Sequence, residues 1–167
     1  MSDATFGGTL ESEPQKRWLR TGDLGFLADG ELHPTGRLKD IVIVAGRKLA
    51  CVDIELAALT AVRAGADRAA IAYPVSSEDG TEAIALVIEL VDHEGADLVA
   101  AREVWMRAIQ NALAQELDVA LAELHVVRRG DLLRTTSGKI ERRESRGAFL
   151  ERSIPIETSW VMGRWTA

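Results

Sequence analysis

Three short runs carry residue types that could do chemistry together. In Arg20-Thr21-Gly22-Asp23-Leu24-Gly25 an aspartate stands between two glycines. Glycine-permitted turns on both sides would let Asp23 present both carboxylate oxygens to a pair of vicinal hydroxyls; alone, the same residue is an ordinary turn former. Gly36-Arg37-Leu38-Lys39-Asp40 alternates base and acid just before an apolar run and, alone, looks like a linker. Thr135-Thr136-Ser137-Gly138-Lys139 is a stretch of small hydroxyl residues and glycine ending in one lysine. Such a lysine can reach into an anionic site as a compact point charge. The glycine beside it predicts a loop that swings. Alone, Lys139 is a solvated surface residue.

Other chemistries find no pattern. There is no Gly-x-Gly-x-x-Gly. Ser137-Gly138-Lys139-Ile140 imitates the end of a phosphate-binding P-loop, but isoleucine follows the lysine and Gly130 lies too far upstream. A Gly-x-Ser-x-Gly elbow is missing as well. His33, His93 and His125 are scattered, with no cysteine or carboxylate at ligand spacing, so no metal site is expected. Cys51 has no activating base nearby in sequence and reads as a small buried hydrophobe.

The chain has 167 residues, 47% hydrophobic and 28% charged, which excludes a disordered or low-complexity class. Its net charge of −6 argues against nucleic acid as the main partner. No run of 18 apolar residues predicts a membrane span. Met1 to Leu10 lacks the basic and apolar regions of a secretory signal, and a single cysteine excludes a disulfide framework, so a cytoplasmic location is expected. Charge is unevenly placed. Glu78 to Glu123 holds eleven acids against two arginines, whereas Arg128 to Arg152 holds eight bases against four acids. The basic end is either a solvated helix face or a surface that meets phosphate or an acidic protein.

Periodicity supplies the elements that must position these runs. Trp18 to Arg20 and Leu24 to Leu27 read as strands. Ala28-Asp29-Gly30 is a hairpin turn, and the return strand Glu31 to His33 is interrupted by Pro34. Ile41 to Ala45 is a continuous β-branched run that predicts a buried strand. A helix follows over Val52–Val62, then strands over Arg68–Val75 and Glu82–Val91 joined by a loop at 76–80. Leu98, Ala101, Trp105, Ile109, Ala112, Leu113 and Leu117 recur at helical spacing and predict a long helix from Asp97 to Leu117. Leu124 to Arg128 is a last strand. A polar loop, Thr135 to Lys139, precedes a charged helix over Glu141–Leu150. Residues 151–167 show no periodicity; Trp160 and Trp165 there read as linker residues. The order after residue 40 is β-α-β-β-α-β-loop-α, a small α+β unit, and the hairpins before it are too few to build a core of their own.

Taken in order, the runs stop being separate. Arg20-Thr21-Gly22-Asp23, Gly36-Arg37-x-Lys39-Asp40, Gly46-Arg47, Asp53-Ile54-Glu55 and Thr135-x-Ser137-Gly138-Lys139-Ile140-x-Arg142-Arg143 resemble the last third of the adenylate-forming enzymes. Thr5-Phe6-Gly7-Gly8, Leu19 to Leu27, Asp29-Gly30-Glu31-Leu32 and Gly36 to Val44 are similar to the fatty acyl-AMP ligases within that superfamily. The resemblance covers roughly residues 5–150.

It implies a division into 1–38, the trailing β-hairpin segment of a missing N-terminal AMP-binding domain; 39–150, a C-terminal lid domain; and 151–167, a tail or linker. The activity implied is ATP-dependent: a fatty acid is converted to acyl-adenylate, and the acyl group then passes to the phosphopantetheine thiol of an acyl carrier protein. Asp23 matches the residue that holds the ribose hydroxyls, and Arg37 one that contacts the ribose. Lys39 falls at the hinge of the lid, Lys139 at the adenylation lysine, and Gly46, Arg47 and Lys48 on the loop that lines the thiol approach. ATP with Mg2+ would be used by the full-length enzyme and none bound by this fragment alone. The phosphate loop and the segment that holds adenine and magnesium are absent from the sequence, so the chain by itself is expected to be inactive. An acyl-CoA ligase lid and a non-catalytic binding module that kept the lid fold are the other readings. Leu133-Arg134 stands where the family has Pro-Lys; Arg134 keeps the charge, and a less rigid entry to the loop is expected.

Overall fold

The computed structural model describes residues 3–77, 79–91, 98–163 and 165–166. Glu78, His93 and the expected helix start at Asp97 lie outside the described residues. The chain divides into two compact units, Met1–Ile41 and Val42–Ala167.

The first unit is built from ribbons. A short helix α1 (Asp3–Phe6) leads into β1 (Gly8–Leu10) and β2 (Glu13–Trp18), an antiparallel pair. Of the expected strand at Trp18–Arg20 only Trp18 is in β2; Leu19 and Arg20 lie beyond its end. β3 (Asp23–Ala28) and β4 (Glu31–Arg37) form a second antiparallel pair around Asp29 and Gly30, both at positive φ (52° and 82°), as a twist-matched two-residue turn requires. Pro34 does not interrupt β4. It sits opposite Gly25, and the register slips between Leu24 and Gly25, so the strand bends and continues to Arg37. Gly25 lies within β3 and makes no turn. A Cβ there would stand 2.7 Å from the His33 carbonyl oxygen, so a close backbone approach explains the glycine. Leu38–Asp40 closes the unit as one 3-10 turn.

The second unit opens with β5 (Ile41–Val44) and β6 (Arg47–Ala50), a two-stranded sheet. Ile41 to Ala45 is not a fully buried strand: Val42 and Val44 face inward while Ile43 is half exposed. With only one neighbouring strand, β5 buries a single face, and strand periodicity sends every second side chain to solvent. The connecting Ala45 and Gly46 both have positive φ, 50° and 73°. For alanine that conformation costs about 1 kcal/mol. Ala45→Asn, which tolerates it, is expected to raise the melting temperature by about 3–5 °C in a thermal melt of the chain. No gain would mean that Ala45 carries no strain.

α2 (Cys51–Ala61) follows without a break, with Asp53 in its first turn, where a negative charge complements the helix dipole. β7 (Ala70–Ser77), β8 (Glu82–Val91), β9 (Leu121–Arg128), β10 (Thr158–Val161) and β11 (Trp165–Thr166) form one sheet in the order β10-β9-β8-β7-β11. All neighbours are antiparallel except β8 and β9, which run parallel across the crossover helix α3 (Leu98–Ala112). The strands alternate between two cores. Ala70, Ala72, Ile84, Leu86, Ile88, Leu124 and Val126 pack with Ile54 and Ala58 of α2 and Ile109 of α3. Ile71, Tyr73, Val75, Ala85, Val87 and Val127 pack on the other face with Phe149 of α4 (Arg142–Leu150). α3 widens into a π-turn at Leu113–Leu117 and stops at Asp118, whose φ of 53° ends the helix.

Within 151–167, Thr158–Val161 is part of the sheet rather than a tail outside the fold. Thr158–Val161 pairs residue for residue with Val126–Glu123 of β9, and Trp160 packs, half buried, against the α2–α3 core. A four-residue strand is too short to show periodicity, which is why the sequence pattern missed it.

Candidate functional site

In the first unit, Asp23 opens β3 and Arg37 ends β4, so antiparallel register sets them opposite each other. The Arg37 Nε donates to Asp23 Oδ1 at 2.8 Å, with both side chains about half exposed. The Thr21 hydroxyl accepts the Asp23 N–H (3.1 Å), and the Gly22 carbonyl accepts the Leu38 N–H (2.8 Å). This lattice fixes the mouth of the hairpin. Beside it lies a hollow of about 390 Å3 lined by Thr21, Gly22, Arg37, Leu38 and Lys39. An exposed ion pair is worth about 0–1 kcal/mol, so Arg37 and Asp23 can exchange each other for a hydroxyl-bearing ligand at little cost. Three of the residues singled out in sequence, Asp23, Arg37 and Lys39, thus meet at one end of one ribbon.

In the second unit, Gly46 is the turn residue of the β5–β6 hairpin, and Lys48 is exposed on β6. Arg47 has a structural task that its motif does not announce. Its Nη1 donates to the Leu117 and Asp118 carbonyls at 2.6 and 3.1 Å and meets the Asp118 carboxylate at 3.3 Å. A cation placed on the last carbonyls of a helix satisfies acceptors that have no intrahelical partner.

Lys139 lies on a closed hairpin rather than a swinging loop. Arg134 and Ile140 pair as an isolated bridge. The Thr135 N–H donates to the Lys139 carbonyl (2.8 Å), the Gly138 N–H to the Thr135 carbonyl (2.9 Å), and the Lys139 N–H to the Thr135 hydroxyl (3.1 Å). Thr135 and Ser137 hydroxyls lie 2.9 Å apart. Gly138 takes φ 82°, so its role is to complete the turn. The lysine side chain itself is exposed, with no ion pair or hydrogen bond among the described residues. The hydroxyls that seemed to signal mobility are spent on holding the backbone.

Four side chains behind this hairpin escaped the sequence reading as a group. Glu89, wholly buried in β8, receives both guanidinium nitrogens of Arg134 at 3.0 and 2.6 Å. That bond holds the Arg134 guanidinium still further above its ordinary pKa. Arg134 is thus not a free charge standing in for the family's lysine, and the entry to the hairpin is not loosened. Arg142 donates to both oxygens of buried Glu55 at 2.7 and 2.5 Å. The signal for Glu89 was present: one carboxylate inside the otherwise apolar run Ala83–Val91. A charge in such a run is tolerated only when paired.

Four of the eight bases of the basic end are matched by ion pairs within the chain. Arg128 pairs with Glu157, Arg129 with Asp67, Arg134 with Glu89 and Arg142 with Glu55, and Arg146 lies over the Tyr73 ring at 4.8 Å. Of Arg142 and Arg143, the two arginines after the lysine motif, only Arg143 is exposed. Among the described residues no group of three His, Cys, Asp or Glu could hold a metal ion.

No family model matches the chain. Curated proteins do. Over 147 residues it is 39% identical to fadD25 of Mycobacterium tuberculosis, provisionally named a fatty-acid–CoA ligase; the match covers 84% of this chain and 24% of that protein. It is 35% identical over 147 residues to the long-chain-fatty-acid–AMP ligase FadD28 of the same species, covering 84% and 25%. The chain belongs to the adenylate-forming superfamily, among the fatty acyl-AMP ligases. JamA of Moorena producens, named a medium-chain-fatty-acid–[acyl-carrier-protein] ligase, is 33% identical over 152 residues, 90% of this chain and 25% of that one. A solved structure from the fatty acyl-adenylate ligases of E. coli and L. pneumophila superposes with a TM-score of 0.63 at 30% identity, covering 81% of this chain and 23% of that chain. The chain therefore spans about a quarter of the length of the curated ligases it matches. Among the described residues no helix is long and apolar enough to cross a membrane.

Proposed function

We propose that this chain is the lid portion of a fatty acyl-AMP ligase, together with the hairpin that leads into the lid. The larger protein activates a fatty acid with ATP to acyl-adenylate and passes the acyl group to the phosphopantetheine thiol of an acyl carrier protein. The observation that carries this reading is Lys139, an exposed ammonium on a hydrogen-bonded hairpin and free of internal partners among the described residues. An ammonium about 4 Å from a phosphate oxygen contributes roughly 4 kcal/mol at an effective dielectric near 20. Phosphoryl chemistry of this kind depends mainly on positioning and charge stabilisation.

In the mechanism, Asp23 accepts hydrogen bonds from the ribose hydroxyls and Arg37 steadies the same sugar. Lys139 bridges the attacking carboxylate and the α-phosphate in the first step. Lys39, in the 3-10 turn Leu38–Asp40, is the pivot between steps, and Gly46–Lys48 borders the thiol path in the second. JamA's name supports a carrier protein as acceptor, and fadD25's supports coenzyme A as the second reading. Of the two arginines after Lys139, Arg142 is paired with Glu55 and Arg143 is the exposed one available to an acidic carrier.

The test is a half-reaction assay on a ligase that carries this segment; the 167-residue chain alone is expected to show no fatty-acid-dependent ATP–pyrophosphate exchange. Lys39→Pro disfavours the helical conformation of Leu38 seen here and fixes its own φ near −65°. One half-reaction should then fall much further than the other. Equal losses would remove the hinge from the reading.

A further inference from the structure

The Lys139 hairpin is tied to the core on both sides by buried carboxylates. On one side, Glu89 accepts five hydrogen bonds: from the N–H groups of Ala69 (3.2 Å), Gly130 (2.9 Å) and Leu132 (3.2 Å) and from two nitrogens of Arg134. On the other, Glu55 of α2 accepts the two nitrogens of Arg142 and, at 3.3 Å, the Ala72 N–H. Arg134 is the first residue of the hairpin bridge, and Arg142 follows its last residue by two. Between the ties, the fully buried Ser145 hydroxyl accepts the Leu133 N–H at 2.9 Å.

Burying a carboxylate is unfavourable unless its geometry is used, because an apolar side chain of similar volume packs as well or better. Glu89 is held by three loop N–H groups beside the Arg134 fork, and Glu55 by the Ala72 N–H of β7 beside the Arg142 fork. Each fixes the plane of one guanidinium fork. The two forks fix both legs of the hairpin, and with them the point from which the Lys139 side chain starts. We propose that Glu89 and Glu55 are positioning residues for Lys139, setting where its ammonium meets the reacting phosphate. The inference rests on the reading of Lys139 as the adenylation lysine.

Two measurements separate the layers. In the 167-residue chain, amide hydrogen exchange is followed for Glu89→Gln, which keeps the shape and removes the charge. Exchange at Thr135, Gly138 and Lys139 should accelerate at least about tenfold, while Ile71, Leu86 and Val126 in the sheet keep wild-type rates. Should Glu89→Gln fail to fold, the double variant Glu89→Gln with Arg134→Met serves instead, because no charge is then left unpaired in the core and the amide oxygen still accepts from the backbone donors. In a ligase carrying the segment, the same variant should slow acyl-adenylate formation by roughly 10–100-fold, the scale for a displaced reacting group. KM for ATP and transfer from supplied acyl-adenylate should stay within about twofold, and Arg134→Lys, which keeps a cation beside Glu89, should lose less than Glu89→Gln. Unchanged exchange in the hairpin of a folded variant, or equal loss in both half-reactions, overturns the proposal. A silent Lys139→Ala would instead sink the reading of Lys139, while the exchange rates would still decide whether Glu89 holds the hairpin.

Discussion

Lys139→Ala, in a ligase that carries this segment, is expected to slow acyl-adenylate formation by roughly 10²–10³-fold, the scale for losing one preorganised charge-stabilising group. The lysine side chain is exposed and bonds to nothing among the described residues, and the hairpin is held by backbone groups, Thr135 and Ser137. The melting temperature should therefore not change. Transfer started from supplied acyl-adenylate should stay near wild type, because in the proposed mechanism the ammonium acts only while the phosphate is attacked. Lys139→Arg should recover part of the rate, since a planar fork replaces a compact charge imperfectly. Single-turnover measurement of each half-reaction decides the matter. Adenylation by Lys139→Ala at near wild-type rate would remove the lysine from the mechanism and weaken the roles given to Asp23 and Arg37.

Arg142→Ala should act in the opposite sense, on stability first. Its guanidinium is the partner of Glu55, which is 5% exposed and would be left as a charge in the core. Breaking a buried pair from one side costs about 3–5 kcal/mol, a large part of a domain's total stability. Urea denaturation should show a midpoint lowered with an unchanged slope. The double variant Glu55→Leu with Arg142→Met should recover most of the loss, because a packed apolar pair leaves no charge behind. If Arg142→Ala unfolds at the wild-type midpoint, Glu55 finds enough water to do without its partner.

The residues that meet at the hairpin mouth were legible because they are close in sequence and punctuated by glycine. Asp23 and Arg37 face each other through simple antiparallel register around Asp29-Gly30. The long apolar runs of β8 and α3 were equally plain. The Glu89–Arg134 and Glu55–Arg142 pairs were not, because they join residues 45 and 87 positions apart through burial that no local pattern encodes. Residues 135–139 misled for a related reason. Small hydroxyl residues favour loops, and composition alone does not say whether the hydroxyls face water or close a turn. The run Ile41–Val44 misled through its β-branched content, which is shared by strands with one covered face and strands with two.

Both outermost positions of the five-stranded sheet are filled from residues 158–166: β10 lies beside β9 and β11 beside β7. A sheet edge left bare offers unpaired N–H and C=O groups to any other extended chain. During synthesis β7, β8 and β9 leave the ribosome well before those residues do. Through that interval the nascent sheet is a three-stranded template open on both sides. A stop codon or a proteolytic cut near residue 155 would make the interval permanent. It would yield a product that keeps every residue of the lysine hairpin and is nonetheless prone to pair with its own copies.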